Sequence, residues 1–201
     1  MPGSDPAAIR ADAVPAERVR RLRRAERREQ ILAAATRSFA RAGFAATSLD
    51  DVAAEAGISR VILYRHFDSK ADMYRAVLDR ACARLAETVG TGDYGDDAIP
   101  ALVRAAADPG AFRLLFRHAA REPEFREQAD SLTAASAEVA RRDLAGQIPA
   151  GPWLDWAARL IHAVAIEAVI AWLEAGQPDS SQAADRIAQV VYGVIQAAQP
   201  R

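Results

Sequence analysis

Apolar residues recur at helical spacing along most of the chain. Ile31, Ala35 and Phe39 lie four residues apart and Gly43 closes the run, which predicts a first helix over about residues 24–42. Further helices are predicted at about residues 49–56, 59–67, 70–89, 97–107, 110–121, 123–145, 152–175 and 180–198. Since Ala and Leu are abundant and alternating strand patterns are scarce, we expect an all-α fold.

A tight turn is predicted between the second and third helices. Gly57 permits the left-handed backbone that such a turn needs, and Ser59 is a good cap for the helix that follows. The apolar residues expected to form a small core between these two helices are Val52, Ile58, Leu63 and Phe67. Two short helices held in this way present the second one to a partner.

The third helix has an outer face of mixed chemistry. With Leu63 and Phe67 turned inward, five other side chains lie outward or at the flank. They are Arg60, Val61, Ile62, Tyr64 and Arg65. This mixture suits the major groove of DNA, because arginine pairs with guanine or phosphate, apolar groups meet thymine methyls, and a phenol bonds a phosphate oxygen.

Charge is divided unevenly along the chain. Residues 1–75 carry 14 basic and 10 acidic side chains, a net of +4, whereas the remainder carries 12 and 17, a net of −5. Such a split is typical of a nucleic-acid module joined to a second domain. Seven arginines lie between Arg18 and Arg28. They form either a solvated helical extension or a basic arm that touches DNA, and we assign residues 1–23 to a flexible basic arm.

Three short motifs resemble the helix-turn-helix of the tetracycline-repressor (TetR) family. They are Ala56-Gly-Ile-Ser, Leu63-Tyr-Arg-His-Phe and Ser69-Lys70. The resemblance covers about residues 26–75. It implies a DNA-binding head of three helices at residues 24–70, joined to a helical body at residues 71–201 that binds an effector and dimerises.

Roles for single residues follow from this resemblance. It implies phosphate contacts from Thr47 or Ser48, Tyr64, His66 and Lys70, a turn shaped by Ser59, and base or nearby phosphate contacts from Arg60, Val61, Ile62 and Arg65. The chain departs from the family at Val61 and Ile62, where small or hydroxylated residues are common. The preferred operator sequence is therefore not predicted.

Some of these residues have a structural alternative. Tyr64 and His66 could pack between helices with their polar atoms satisfied. Lys70 opens the fourth helix, where a cation opposes the helix dipole. Because a DNA phosphate would supply the missing negative charge, we predict that Lys70 contacts DNA.

The body carries aromatic and apolar residues at helical spacings that would line either a small-molecule pocket or an ordinary core. The pocket candidates are Phe112, Leu115, Phe116, Trp153, Trp156, Leu160 and Val164. They predict an apolar or aromatic effector with few charges. His118 and Glu122 share a helix face, but without a third ligand we expect no metal, and we expect no cofactor.

The last two helices are predicted to pair with their copies in a two-fold four-helix interface, as they do in the resembled family. The interface candidates are Val169, Trp172, Leu173, Ile187, Val190, Val191 and Val194. The apolar stretch Leu160–Leu173 is shorter than the roughly 20 residues of a membrane span, so no span is predicted. The N-terminus lacks the apolar core of a secretory signal and Cys82 is the single cysteine, so we expect a cytoplasmic protein.

These observations predict a transcriptional repressor that binds a palindromic operator as a homodimer and is released by a small-molecule effector. An activator or a DNA-architectural protein could use the same head. A helical ligand-binding protein or enzyme with a vestigial head is the alternative from another class. No glycine-rich phosphate loop, nucleophile elbow or paired acid-base motif is present in the sequence, so no catalytic residues are predicted.

Overall fold

The computed structural model describes residues 16–90, 92 and 95–200, with side chains from residue 24 onward. This part of the chain is all-α, as predicted, and contains no strand. Its helices are α1 (Ala16–Ala46), α2 (Leu49–Ala56), α3 (Arg60–Tyr64), α4 (Lys70–Val89), α5 (Ala98–Ala105), α6 (Pro109–Arg113), α7 (Arg126–Leu144), α8 (Pro152–Glu174) and α9 (Ala183–Ala198).

Helix α1 is longer than the apolar stripe predicts. It begins at Ala16, so residues 16–23 of the predicted flexible arm are its first turns, and residues 1–15 lie outside the described residues. Near its other end Gly43 adopts φ 78° and ψ 173°, which interrupts the helical geometry. The apolar stripe marks only the part of a helix that packs against a core, and here the polar extension continues beyond it.

The α2–α3 turn forms as predicted, with one difference. Gly57 adopts the left-handed conformation at φ 64° and ψ 34°, and its N–H donates to the carbonyl oxygens of Ala53 and Ala54. Ser59 has the backbone geometry of an N-cap, but its side chain makes no capping hydrogen bond, so that part of the prediction is wrong. Helix α3 ends at Tyr64, earlier than the predicted end near Phe67.

The predicted helix at residues 110–121 is broken into three short pieces. Asp108 caps α6 by accepting from the N–H of Ala111 at 3.1 Å, with Pro109 in the first turn. A π-helical turn at Leu114–His118 and a 3₁₀ turn at Ala119–Arg121 follow directly. This broken segment packs against α1 and α4, and so connects the head to the body.

One hydrophobic core spans the head and the first part of the body. Phe39 and Leu63 of the head share it with Leu114 and Phe125, which come from the broken segment and the start of α7. An aromatic cluster lies at its centre. The cluster is Phe39, Phe44, Tyr74 and Phe125, with neighbouring ring centroids 4.6 to 6.3 Å apart.

A second core lies among α5, α8 and α9 and extends to α6. Helix α8 has 23 residues, and its most apolar window has a mean hydropathy of 1.5. By length and composition alone it is long and apolar enough to span a membrane, although the shorter stretch Leu160–Leu173 predicts no span. Here it packs against α7 and α9, and Val169 and Ile170 are fully buried. Helix α8 is thus an apolar core helix in this fold.

Candidate nucleic-acid interface

Helix α3 presents an exposed face of the predicted composition. Val61 is 64% exposed and Tyr64 is 48% exposed, and Arg60 and Arg65 are exposed beside them. Ile62 differs from the prediction, because it is half-buried against the core of the head. The face that a partner meets is therefore formed by two arginines, one valine and one tyrosine.

Arg60 is held by neighbours on two helices. Its Nη1 donates to Oδ2 of Asp50 at 3.1 Å, and its Nη2 donates to the phenolic oxygen of Tyr64 at 3.2 Å. The hydrogen bond to Tyr64 and the nearby Asp50 carboxylate raise the pKa of Arg60. The Tyr64 oxygen accepts in this bond, so its own O–H can still donate to an anion.

The hydroxyls of Thr47 and Ser48 make local hydrogen bonds, and the phosphate contact predicted for one of them stays a prediction. Thr47 is 2% exposed, and its hydroxyl donates to the carbonyl oxygen of Gly43 at 2.7 Å. Ser48 is exposed, but its hydroxyl donates to Oδ2 of Asp51 at 2.7 Å and accepts from the N–H of that residue at 3.1 Å. Both hydroxyls are used locally, one in the turn after α1 and one in the capping box of α2.

Lys70 makes structural contacts within the head, and its predicted phosphate contact stays a prediction. Its Nζ donates to the carbonyl oxygens of Phe44, Ala45 and Thr47 at 2.9, 3.3 and 3.1 Å. An ammonium has three N–H donors, and all three are used by these carbonyls at and just beyond the end of α1. The negative end of the α1 dipole therefore supplies the compensating charge for this cation within the head itself.

His66 lies beside arginines of α1. Partial burial lowers the pKa of its imidazole, and Arg24, Arg28 and Arg27 lower it further. The guanidinium of Arg28 also lies 4.9 Å from the ring centroid of Phe67. Arg24, Arg27 and Arg28 of α1 therefore add a cationic surface next to the end of α3.

Two residues of this interface are not predicted as site residues from the sequence. Asp50 lies in the first turn of α2, and its carboxylate pairs with Arg60 across the turn. Arg24 belongs to the arginine run, yet its position beside His66 depends on how α1 crosses α3. Neither contact follows from helical spacing, because both join residues on different helices.

The predicted effector residues do not come together at one place. Phe112 and Leu115 line a cleft of about 250 Å³ between α4, α5 and α6. Phe116, Leu160 and Val164 are half-buried in the body. Trp153 and Trp156 do not line this cleft; they are 62% and 39% exposed, and their ring centroids lie 5.5 Å apart.

A larger cleft of about 450 Å³ lies between α1 and α4 and is lined mainly by charged residues. Among the charged residues is Arg80, whose Nε donates to the carboxylate of Glu29 at 2.8 Å. This lining does not suit an apolar ligand. Within the described residues, no three His, Cys, Asp or Glu side chains come together as a metal site, and His118 with Glu122 remains a pair.

The predicted dimer residues fall into two groups. Four are buried inside the protomer between α5, α8 and α9: Val169, Leu173, Ile187 and Val191. Val190 is 53% exposed and Val194 is half-buried. Trp172 is half-buried, and its Nε1 donates to the carbonyl oxygen of Pro178 at 2.9 Å. Tyr192, which the sequence argument missed, is 57% exposed.

The fold and this surface define a helix-turn-helix DNA-binding head on a helical body. The model of the family described as "Bacterial regulatory proteins, tetR family" matches residues 31–77. The match lies within the head, so residues 31–77 are similar in sequence to that family.

The curated relatives match over a short stretch of the chain. The HTH-type transcriptional activator FasR of Mycolicibacterium smegmatis is 48% identical over 60 residues, which cover 30% of this chain and 27% of FasR. The chain thus spans about a quarter of that relative.

Solved structures match over most of the chain. A TetR-like transcriptional regulator from Rhodococcus sp. RHA1 has a TM-score of 0.66 and 22% identity, and the match covers 83% of this chain and 93% of that one. A complex of SmeT with triclosan has a TM-score of 0.60 and 21% identity, and covers 82% and 91% of the two chains. At these identities the likeness establishes the fold.

Proposed function

We propose that the protein is a ligand-responsive transcriptional repressor that binds a palindromic DNA operator as a homodimer. The observation that carries the proposal is the exposed face of α3, where Arg60, Val61, Tyr64 and Arg65 lie together. A helix that only had to be solvated would not expose a valine and a tyrosine between two arginines. A major groove supplies an acceptor, a methyl or a phosphate for each of these groups.

Phosphate contacts come from the surroundings of α3. The phenol of Tyr64 lies on the reading face, Arg24, Arg27 and Arg28 of α1 lie near His66 just after α3, and Ser59 has a hydroxyl that is free of a capping role. Phosphate contacts position a protein on DNA, whereas base contacts specify the sequence. We therefore assign positioning to Tyr64, Ser59 and the α1 arginines, and base reading to Arg60, Val61 and Arg65.

Dimerisation is inferred from the large apolar residues that remain exposed. Among the described residues these are Val61, Tyr64, Trp153, Trp156, Val190 and Tyr192. The first two lie on α3, and the other four all lie on α8 or α9. A second copy of the same two helices would cover part of this exposed apolar surface under a two-fold axis, and in the proposed dimer the two α3 helices lie about 34–36 Å apart on successive major grooves.

The effector is inferred to bind in the cleft between α4, α5 and α6. Ala81, Leu85, Phe112 and Leu115 give it a mostly apolar lining, which suits an apolar or aromatic molecule. SmeT, a protein of the same fold, has been solved as a complex with triclosan. DNA would be released if the ligand bound more tightly to a dimer conformation in which the spacing between the two heads does not match the operator.

Selection from a randomised DNA duplex library tests the proposal. The full chain should enrich a palindromic sequence, and a fluorescent duplex of that sequence should bind more weakly to Arg65→Ala than to wild type. Arg141→Ala is the matched control, since Arg141 is an exposed arginine on α7 of the body. A library that yields no enriched sequence at any salt concentration would overturn the proposal.

The sign of regulation needs its own measurement, because FasR carries the name of an activator. Transcription in vitro from a promoter containing the selected operator should fall when the protein is added. A rise in the amount of transcript would mean that the protein is an activator, and the proposal that it binds DNA would still hold.

A further inference from the structure

The guanidinium of Arg60 is fixed by partners from two different helices. Asp50, in the first turn of α2, accepts from Nη1 at 3.1 Å, and Tyr64 of α3 accepts from Nη2 at 3.2 Å. The Cζ atom also lies 5.6 Å from the centroid of the Tyr64 ring. The arrangement therefore crosses the helix-turn-helix and constrains the direction of the arginine side chain.

The ion pair between Asp50 and Arg60 contributes little to stability. The two side chains are 68% and 53% exposed, and exposed pairs of this kind have small effects on folding. Asp50 also does not form the capping box of α2, which Ser48 makes with Asp51. Holding Arg60 is thus the specific contact of the Asp50 carboxylate.

Enough of the guanidinium remains free to read a base. It has five N–H donors, of which the two partners use two. A guanine offers O6 and N7 in the major groove and needs two donors for a bidentate contact. An arginine already held in one direction loses less side-chain freedom when it makes that contact.

We propose that Asp50 is a positioning residue that sets the base preference of Arg60, holding its guanidinium toward a guanine in the major groove. This inference rests on the proposed function, because it presumes that α3 enters DNA. Asp50 itself touches no base in this role and acts through Arg60.

The proposal has a signature that a purely structural role lacks. A carboxylate beside DNA repels phosphates, so Asp50→Asn should bind unrelated duplexes more tightly than wild type does. The same change should weaken the preference for guanine at one base pair of each half-site. The ratio of specific to non-specific binding should fall by roughly three- to tenfold, within the discrimination that a bidentate arginine contact supplies.

The test uses the operator selected by the wild-type chain. Dissociation constants are measured at one fixed salt concentration for that duplex, for variants with each G·C pair replaced, and for an unrelated duplex. The proteins are wild type, Asp50→Asn, Arg60→Ala and the double variant. The double variant should have the same base preferences as Arg60→Ala alone. Once Arg60 is absent, Asp50→Asn has no further effect on them, because the two residues act as one unit.

Two further variants separate positioning from folding and from charge. Asp50→Glu keeps an acid in the first turn of α2 and should retain a larger part of the guanine preference than Asp50→Asn retains. Asp68→Asn removes another exposed acid of the head, and should leave the base preference unchanged.

The outcomes are distinct. Failure to enrich any sequence would overturn the proposed function and this inference with it. A selected operator whose base preferences are the same for wild type and Asp50→Asn would overturn the inference alone. Loss of preference at different base pairs in Asp50→Asn and Arg60→Ala would also overturn it, since Asp50 would then read a base itself.

Discussion

The ammonium of Lys70 lies 4.5 Å from the ring centroid of Phe44 and donates to the carbonyl oxygen of the same residue at 2.9 Å. Two further carbonyls, of Ala45 and Thr47, accept its remaining N–H groups. The start of α4 is thereby fastened to the end of α1. A residue at the edge of a DNA-binding surface thus serves first to hold two helices of the head together.

Replacing Lys70 should therefore lower the stability of the fold and leave the number of protein–phosphate contacts unchanged. In Lys70→Met three carbonyl oxygens lose their donor, and the free energy of unfolding should fall by about 1–3 kcal/mol in urea denaturation. The slope of log K against log salt for DNA binding should stay close to the wild-type value. Arg24→Met is the control, because Arg24 is one of the α1 arginines assigned to phosphates, and its slope should flatten by about 0.9 for the loss of one phosphate contact. A loss of about 0.9 in Lys70→Met would restore the phosphate role.

Val61 and Val52 form a matched pair of valines in the head. Val61 is 64% exposed on α3, so Val61→Ala should change the free energy of unfolding by less than about 0.5 kcal/mol, but should weaken the preference for thymine at one position of the operator. Val52 is fully buried, so Val52→Ala should lower the free energy of unfolding by about 2 kcal/mol. Equal effects of the two changes on stability would place Val61 in the core.

An exposed valine of α9 provides a test of the dimer. Val190→Glu puts a charge on the proposed interface, and the dimer dissociation constant should rise roughly tenfold or more in analytical ultracentrifugation. Val61→Glu places the same charge on an equally exposed valine of α3 and should leave the dimer unchanged. If both variants sediment like wild type, the α8–α9 surface is not the interface.

Triclosan is a defined probe for the cleft between α4, α5 and α6. Ligand that binds only the folded state raises the melting temperature, so wild type should show a shift that grows with triclosan concentration. Ala105→Phe fills the cleft and should abolish the shift, whereas Trp153→Ala should retain it. A shift that persists in Ala105→Phe and is lost in Trp153→Ala would indicate that triclosan binds at the exposed tryptophans instead.

Acid should destabilise the fold through its histidines. Burial lowers the pKa of His162, and burial is also the main cause of the lowered pKa of His66 and His118. The unfolded chain takes up these protons near pH 6.5 while the folded chain does not, so stability is constant above that pH and falls as the pH drops below it. Melting temperatures at a fixed protein concentration should decline between pH 7 and 5.5, and less steeply in His162→Gln.

Helical spacing predicted most of the fold because each helix buries one apolar stripe. The bounds predicted for α4 are those observed, and the turn at Gly57 follows from one glycine between two short apolar runs. The broken segment after Asp108 was not predictable in the same way, because its apolar spacing continues through a π-helical turn. Its geometry is set by packing on α1 and α4.

The site was predicted less completely than the fold, since several contacts depend on how helices meet. The outer face of α3 was predicted from the inward positions of Leu63 and Phe67. The role of Lys70 was not, because its partners are backbone carbonyls more than 20 residues away. Helical spacing also does not reveal which apolar residues of α8 pack inside the protomer, and the dimer candidates Val169 and Leu173 are buried there.

The shared core of Phe39, Leu63, Leu114 and Phe125 has a consequence for the exchange of parts between regulators. A head transplanted onto a foreign body would lose the side chains that close its interior, unless the recipient supplied groups of matching size at positions 114 and 125. Successful chimeras should therefore join in the second half of the chain, beyond Phe125. On this view the unit that evolution can shuffle intact is larger than the DNA-reading motif.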